Sequence, residues 1–387
     1  MGLLAACQAL LLTNSSTLIA VNSLAGLAIA SDKRLATLPV TAYVLGSALS
    51  TLPASLAMRH IGRRAGFTLG AGLGIVGVLI CAVGVAQTSL AVLCSGTLLV
   101  GVYNAFGLYY RFAAVDVADQ FAPGFRGRAI ALVLAGGIVG GVLGPETSKF
   151  TRTLFPTEFA GTYACLALFA FIAMILVQQL QIAKPSAAER AQAQRPLLEI
   201  ARQPAFLVAV TGAAISYGVM NLLMTATPLA MRVCRYPFAS AAFVLEWHVI
   251  AMYAPGFFSG ALIRRFGVLS IMLAGVAAMT ACVGFAISGV SISHFWLALV
   301  LLGIGWNFLY VGGTTLLTST YQASEKAKVQ GVNDALVFVA MMISSFSSGA
   351  MFSSNGWNEL NLVALPFLAL IAVVLATLRL HQRRLAS

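Results

Sequence analysis

Ser55-Leu-Ala-Met-Arg-His-Ile-Gly-Arg-Arg64 and Gly260-Ala-Leu-Ile-Arg-Arg-Phe-Gly267 are two short basic turns, each set between two long apolar runs. One such unit in each half of the chain points to a duplicated membrane-spanning unit. Transporters are commonly built from paired repeats that hold the substrate near the bilayer midplane between them. The junction of the two halves is therefore where function is expected.

Composition agrees. Of 387 residues, 60% are hydrophobic and only 9% are charged, and the mean hydropathy is +0.93. A surface made from such a chain cannot be the charged coat of a soluble protein, so lipid is its main surrounding partner. The net charge of +12 does not indicate nucleic acid, because the basic residues are scattered as pairs between apolar stretches instead of clustering on one face. Cys7, Cys81, Cys94, Cys165 and Cys282 lie inside apolar runs without the paired spacing of a zinc site or disulfide framework. No cofactor or metal is expected.

A spanning helix needs about 20 mainly apolar residues. Twelve segments qualify: 3–30, 35–57, 65–86, 90–118, 129–150, 159–182, 205–231, 239–263, 268–289, 295–321, 329–352 and 360–380. Only one connection is long and polar, the stretch 183–204 with Pro185, Pro196 and Pro204. It divides the chain into a six-helix bundle at 1–182 and another at 205–387. With both termini inside, 16 Lys and Arg residues fall in cytoplasmic loops and tail and 6 on the opposite side, the asymmetry expected for a bacterial inner membrane protein with cytoplasmic ends.

Two patterns invite other readings. Leu4-Ala-Ala-Cys7 resembles a lipoprotein cleavage site, but no basic residue precedes it. Gly72-Leu-Gly74-Ile-Val-Gly77 fits a dinucleotide-binding fingerprint, but it lies within an unbroken apolar run, which removes the phosphate-binding context and leaves close helix packing. Gly136, Gly140 and Gly144 recur at helical spacing, the pattern that lets membrane helices approach closely.

Twelve spans in two halves, a central linker and a basic turn after the second and eighth spans together resemble the major facilitator superfamily of secondary transporters. The superfamily's loop motif, roughly G-x-L-A-D-R-x-G-R-R, maps onto Gly62, Arg63 and Arg64, with Ser55 for the first Gly, Arg59 for the Asp and His60 for the Arg. In the second copy Gly260, Leu262, Arg265 and Gly267 fit, and Arg264 again takes the acidic position. The stretch from Asp119 to Arg128 resembles the family's acidic-to-RGR junction. The antiporter pattern is half present at Gly140, Gly144 and Pro145, but Ser148 and Lys149 stand where its last glycines belong. Thr97 stands where drug antiporters carry arginine. The resemblance implies a monomeric all-α transporter working by alternating access.

It also implies that helices 1, 4, 7 and 10 line a central cavity. Polar residues at one-face spacing are Gln8, Ser15 and Asn22 on the first, Asn104 and Arg111 on the fourth, Tyr217, Asn221 and Thr225 on the seventh, and Asn307, Tyr310 and Thr314 on the tenth. Of these, Gln8, Asn22, Asn104, Arg111, Tyr217, Asn221, Asn307 and Tyr310 are the expected substrate contacts. The competing use of such groups is interhelical hydrogen bonding. Arg111 is the one basic residue well inside a span, which is costly, and it is the expected partner of an anionic or polar substrate group.

Glu246, His248 and Asp334 are the candidates for carrying a coupling proton. Arg59, Arg63, Arg64, Asp119, Arg264 and Arg265 are the expected conformational latch. Within it, an Arg59–Asp334 contact would join the halves and an Arg63–Asp119 clasp would lie within the first. The sequence thus reads as a secondary transporter of a small polar or amphipathic solute, coupled to protons. A drug or metabolite exporter is the alternative within transport, and a non-transporting membrane sensor or assembly protein is the alternative outside it. No clustered nucleophile, base and oxyanion group suggests an enzyme.

Overall fold

The structure, a computed structural model, describes residues 1–121, 126–182, 195–322 and 325–386, with some side chains within them, those of Arg59 and Asp119 included, outside that description. The helices are α1 (Gly2–Ile29), α2 (Leu38–Ile61), α3 (Arg63–Ala86), α4 (Leu90–Gly107), α5 (Tyr110–Phe121), α6 (Arg126–Thr151), α7 (Ala160–Gln178), α8 (Leu197–Ala201), α9 (Pro204–Val233), α10 (Phe238–Tyr253), α11 (Gly256–Phe266), α12 (Val268–Ser288), α13 (Ile292–Thr318), α14 (Lys326–Leu362) and α15 (Ala364–Ala386).

Among the described residues nine helical stretches are long and apolar enough to cross a membrane, or ten when α10 and α11 count as one bent span. One of the nine, Lys328–Leu380, has 53 residues. At 1.5 Å per residue it is more than twice the thickness of a bilayer core. It divides at Gly356, whose φ of 82° is not helical, and so supplies two crossings. With α6, twelve spans result. Side chains such as Leu79, Phe171, Phe367 and Val373 point outward, as lipid-facing residues must.

Two expected spans are broken. The segment 90–118 is two helices, α4 and α5, separated at Leu108 and Tyr109. The segment 239–263 bends by 44° between α10 and α11, where Pro255 cannot donate a backbone hydrogen bond and its ring crowds the preceding turn.

The basic turns share one backbone device. Gly62 joins α2 to α3 at φ 91° and Gly267 joins α11 to α12 at φ 84°, a region that a side chain disfavours. Nothing lies within 4 Å of a Cβ placed on Gly267, so conformation and not space requires the glycine. The glycine stripe of α6 has the other explanation. A Cβ on Gly136 would lie 2.3 Å from Ala5 O and one on Gly140 would lie 2.6 Å from Ala9 O. The small residues let α6 sit directly on the α1 backbone, where Ser16 and Thr17 donate to Gly140 O and Gly144 O, each at 2.9 Å. Gly74 packs likewise against the ring of Tyr103.

Each six-helix bundle has its own apolar core. One runs from Leu4 to Leu180 and takes in Leu229 and Phe338 from the second half. The other runs from Ile200 to Leu378 and takes in Ala20 from the first. At the end of the molecule away from the chain termini the bundles are sealed together. Thr37 donates to Ser345 O at 2.9 Å and accepts from Gly349 N at 3.2 Å, Thr41 meets Ser345 Oγ at 3.2 Å, and Ser23 donates to Thr225 O at 3.3 Å.

On the terminus-bearing side, Arg195 grips Glu325 with two side-chain hydrogen bonds of 2.7 Å, while the backbone N–H of Gln322 donates to the same carboxylate at 2.9 Å. The Arg195 fork, helped by these backbone donors, holds the Glu325 carboxyl down at about 2.

Candidate functional site

Between the bundles lies a cavity of about 160 Å³ lined by α1, α2, α4, α5, α9, α10, α13 and α14. A larger space of about 400 Å³ lies near the sealed end, walled mainly by apolar groups such as Leu229, Val290, Phe352 and Trp357. The smaller one carries the convergent polar chemistry of a binding site.

One wall is aromatic. Trp306 and Tyr310 are one turn apart on α13, so their rings lie on one face and stack with centroids 4.9 Å apart and planes 14° apart. Tyr217 of α9 meets both edge-on, at 5.1 and 5.4 Å, and Tyr253 of α10 meets Trp306 at 6.1 Å. These are the offset-stacked and edge-to-face arrangements that ring quadrupoles favour. Trp306 is buried, and among the described residues its indole N–H has no hydrogen-bond partner. A buried donor left unmade is costly unless something else accepts from it.

The facing wall is a small hydroxyl and amide network from the first bundle. Ser15 of α1 lies 2.9 Å from the Tyr43 hydroxyl of α2 and donates weakly to Asn104 Oδ1 at 3.5 Å. Asn104 of α4 donates to Ser47 Oγ at 3.1 Å, and Ser47 donates to Gly101 O at 3.0 Å.

Arg111 and Asp334 join the walls. Arg111 stands in the first turn of α5, just after the break in the fourth span. Its Nη1 donates to the Tyr310 hydroxyl, and its Nη2 lies 3.6 Å from Asp334 Oδ2 of α14. The second contact is an ion pair, too long for a hydrogen bond. Among the described lining residues, Arg111 is the only cation and Asp334 the only anion.

Of the expected substrate contacts, Asn104, Arg111, Tyr217, Asn221 and Tyr310 line this cavity. Asn221 also braces α14, donating to Met341 O at 3.0 Å and Ser344 Oγ at 3.1 Å. Gln8, Asn22 and Asn307 are not among its lining residues. Asn22 accepts from the Tyr163 hydroxyl at 2.7 Å. Asn307 accepts from Ser259 at 2.6 Å and donates to Met252 O at 2.7 Å, which ties α13 to both sides of the Pro255 bend. Tyr43, Ser47, Tyr253 and Trp306 line the cavity without having been expected there. The i, i+4 spacing of Trp306 and Tyr310 was the available signal.

Among the coupling candidates only Asp334 reaches the cavity. His248 is buried with Nδ1 2.7 Å from Leu299 O. Glu246 stands beside Glu146, whose own partner is Lys149, at the seam of α6 and α10.

Around the expected latch residues, the described side chains show the following contacts. Asp334 meets Arg111, while the side chain of Arg59 lies outside the described residues. Arg63 pairs with Asp116, three residues before Asp119, whose side chain is also outside them. Both Arg63 and Asp116 follow from one bundle, so this contact does not cross the halves. Arg64 donates to Gln178 at 3.3 to 3.4 Å. Arg264 and Arg265 are exposed, with no ion pair among the described residues; Arg265 lies over the ring of Phe266 at 5.2 Å.

A cavity between two six-helix bundles, lined from both, is the arrangement of a membrane transporter. The model of the Major Facilitator Superfamily matches residues 4–333 and 248–386, and the chain belongs to that family. It is 38% identical over 385 residues to the riboflavin transporter RfnT of Brucella anthropi, covering 98% of this chain and 95% of that one. It is 27% identical to the uncharacterized MFS-type transporter YddS of Bacillus subtilis, covering 95% and 88%. In fold it resembles the nucleoside transporter NupG, with a TM-score of 0.76 at 12% identity over 97% of this chain and 98% of that one. It also resembles a bacterial homologue of the iron transporter ferroportin in its outward-facing state, with a TM-score of 0.66 at 16% identity over the same shares. The protein is a multi-pass membrane transporter of a small molecule, and its relatives are transporters, not enzymes.

Proposed function

We propose that the protein carries riboflavin, or a closely similar neutral flavin, across the bacterial inner membrane by alternating access. The observation that carries this reading is the pairing, in one cavity, of a four-ring aromatic wall with a facing hydroxyl and amide network. An isoalloxazine is a wide, flat, electron-poor heteroaromatic suited to the first, and a ribityl chain is a row of hydroxyls suited to the second. The likeness to a riboflavin transporter over nearly the whole chain supports it, in preference to a drug exporter or a sensor. At about 160 Å³ the cavity is smaller than the roughly 300–1,000 Å³ of a ligand site, so the halves must separate to admit such a solute. The far seal is broad, and the terminus-bearing side is bridged by Arg111, Tyr310 and Asp334, which makes that side the readier to open.

The reading includes proton coupling through Asp334. A proton on its carboxylate would end the ion pair with Arg111 and weaken the bridge between the halves, leaving the Arg111–Tyr310 hydrogen bond to be broken. Glu246 and His248 have partners outside the cavity and serve the packing of their helices. The bundles 1–182 and 205–387 move as units about the linker 183–204, as a monomer, with both termini cytoplasmic. A cysteine at Ser354 would then react with an impermeant reagent in intact cells and one at Ser186 would not.

The test is binding. The purified protein is titrated into riboflavin while flavin fluorescence is followed, because stacking against tryptophan and tyrosine quenches it, and thermal stability is measured in parallel. Saturable quenching with stabilisation is expected. A folded protein that gives neither contradicts the proposal.

A further inference from the structure

We infer that the indole N–H of Trp306 is a specificity-determining donor, so that the site selects an aromatic heterocycle with a hydrogen-bond acceptor on its rim. This inference rests on the flavin reading above and names the feature of the flavin ring that the site reads. Trp306 lines the cavity and is only 3% exposed, and its Nε1 has no hydrogen-bond partner among the described residues. A donor buried without an acceptor costs free energy, and a ligand in the cavity is placed to supply the acceptor. Trp357 gives the contrast: its buried indole serves packing and donates to Ala286 O at 2.8 Å. Trp296 also lacks a partner, but it is not among the cavity's lining residues, so no ligand is read from it. The missing partner and the place in the cavity wall carry the inference together.

The donor is fixed in place. Small residues set α13 close against its neighbours: a Cβ on Gly303 would lie 2.7 Å from His248 O and one on Gly305 would lie 2.7 Å from Gly275 O. Asn307, the next residue after Trp306, accepts from Ser259 and donates to Met252 O, and the indole itself is stacked on Tyr310. The backbone carbonyls of α13 serve its own helical ladder. The surrounding rings present π faces, weaker acceptors than a carbonyl oxygen or a ring nitrogen. A donor already held in its binding geometry needs no ordering when the ligand arrives. The N–H lies in the plane of the indole and so addresses the rim of a ligand. Tyr217 stands at 85° to that plane, and a ring laid flat on Tyr217 is therefore nearly perpendicular to Trp306 and can bring its rim to the donor. An isoalloxazine carries carbonyl oxygens and unsubstituted imine nitrogens there, with lone pairs in the ring plane. A site built to make such a bond rejects an analogue without the acceptor, because the buried donor is then left unpaired.

The test removes the donor and keeps the ring. Trp306 is replaced by benzothienylalanine, in which sulfur stands where the N–H was. Riboflavin binding is measured by equilibrium dialysis against wild type, with the ligand-free thermal midpoint in parallel. Binding is expected to weaken at least about fivefold, because the ligand's acceptor is then desolvated without a donor. The ligand-free midpoint should not fall, since the replaced N–H has no protein partner to lose. A smaller loss of binding overturns the inference while the flavin reading stands, and so does a lowered midpoint, which would show that the N–H held a bond within the protein. Trp306→Phe also lacks the donor and serves if the first variant does not fold; riboflavin binding by it within about fivefold of wild type overturns the inference equally. Failure of folded wild-type protein to bind riboflavin overturns the flavin reading itself, and this inference with it.

Discussion

Replacing Arg111 with lysine separates charge from geometry at the bridge between the two bundles. The guanidinium uses two nitrogens at once, Nη1 for the Tyr310 hydroxyl and Nη2 facing Asp334 at 3.6 Å. A lysine ammonium keeps the positive charge but is a single point on a flexible stem and cannot reproduce the planar fork. One charge-assisted hydrogen bond is worth about 1.5–3 kcal/mol, so Arg111→Lys should raise the apparent KM by about 10- to 150-fold. Protein abundance and thermal midpoint should change little, since Asp334 keeps a cation beside it. Arg111→Gln differs: it leaves Asp334 uncompensated in a site where its side chain is only 23% exposed, and breaking a buried pair costs up to about 3–5 kcal/mol. Its abundance should fall. Initial-rate uptake with matched immunoblots measures both. A KM for Arg111→Lys within twofold of wild type would refute the role given to the fork.

Three further outcomes are expected. Riboflavin 5′-phosphate should be a poor substrate, with uptake at least about tenfold below riboflavin at equal concentration, because the one lining cation among the described residues already has Asp334 beside it; competitive uptake assays measure this. Gly267→Ala should destabilise the purified protein by about 1–3 kcal/mol through its φ of 84°, whereas Gly284→Ala, also with nothing near its Cβ, should be neutral or slightly stabilising; denaturant unfolding compares them. The Glu325 carboxyl is held at about 2 against an ordinary 4.5, so its contribution is complete above the ordinary value and is lost as pH falls through about 2. The thermal midpoint gap between wild type and Glu325→Gln should therefore be constant from neutral pH down to about 5 and shrink below that.

The spans were legible because hydropathy runs of about 20 residues have few other physical explanations, and the repeat was legible because Gly62 and Gly267 mark the same turn twice. The breaks were harder to see. The eighth span was read as unbroken, although Pro255 was an available signal for its bend; the interruption after Gly107 has no proline and lies inside continuous apolar sequence, where hydropathy is blind to it. In the site, helical spacing identified a face without fixing which neighbour that face meets. Asn22 lies seven residues from Ser15, on the same side of α1, yet at its depth that side meets Tyr163 of α7 and not the cavity. Asn307 is less than a turn from Tyr310, but it is consumed by the Pro255 bend, a tertiary demand with no local signature. The aromatic wall was missed because Trp306 and Tyr253 read as ordinary apolar span residues. The Arg111–Asp334 pair was missed because the two lie 223 positions apart in sequence, and each had been given a partner or role of its own.

Riboflavin uptake into vesicles reconstituted with the purified protein tests the central claim most directly. Vesicles preloaded with unlabelled riboflavin should take up labelled riboflavin in a saturable manner, with loss of activity in Arg111→Gln vesicles of matched protein content. Uptake no faster than into protein-free vesicles, by protein shown to be folded, would contradict the account.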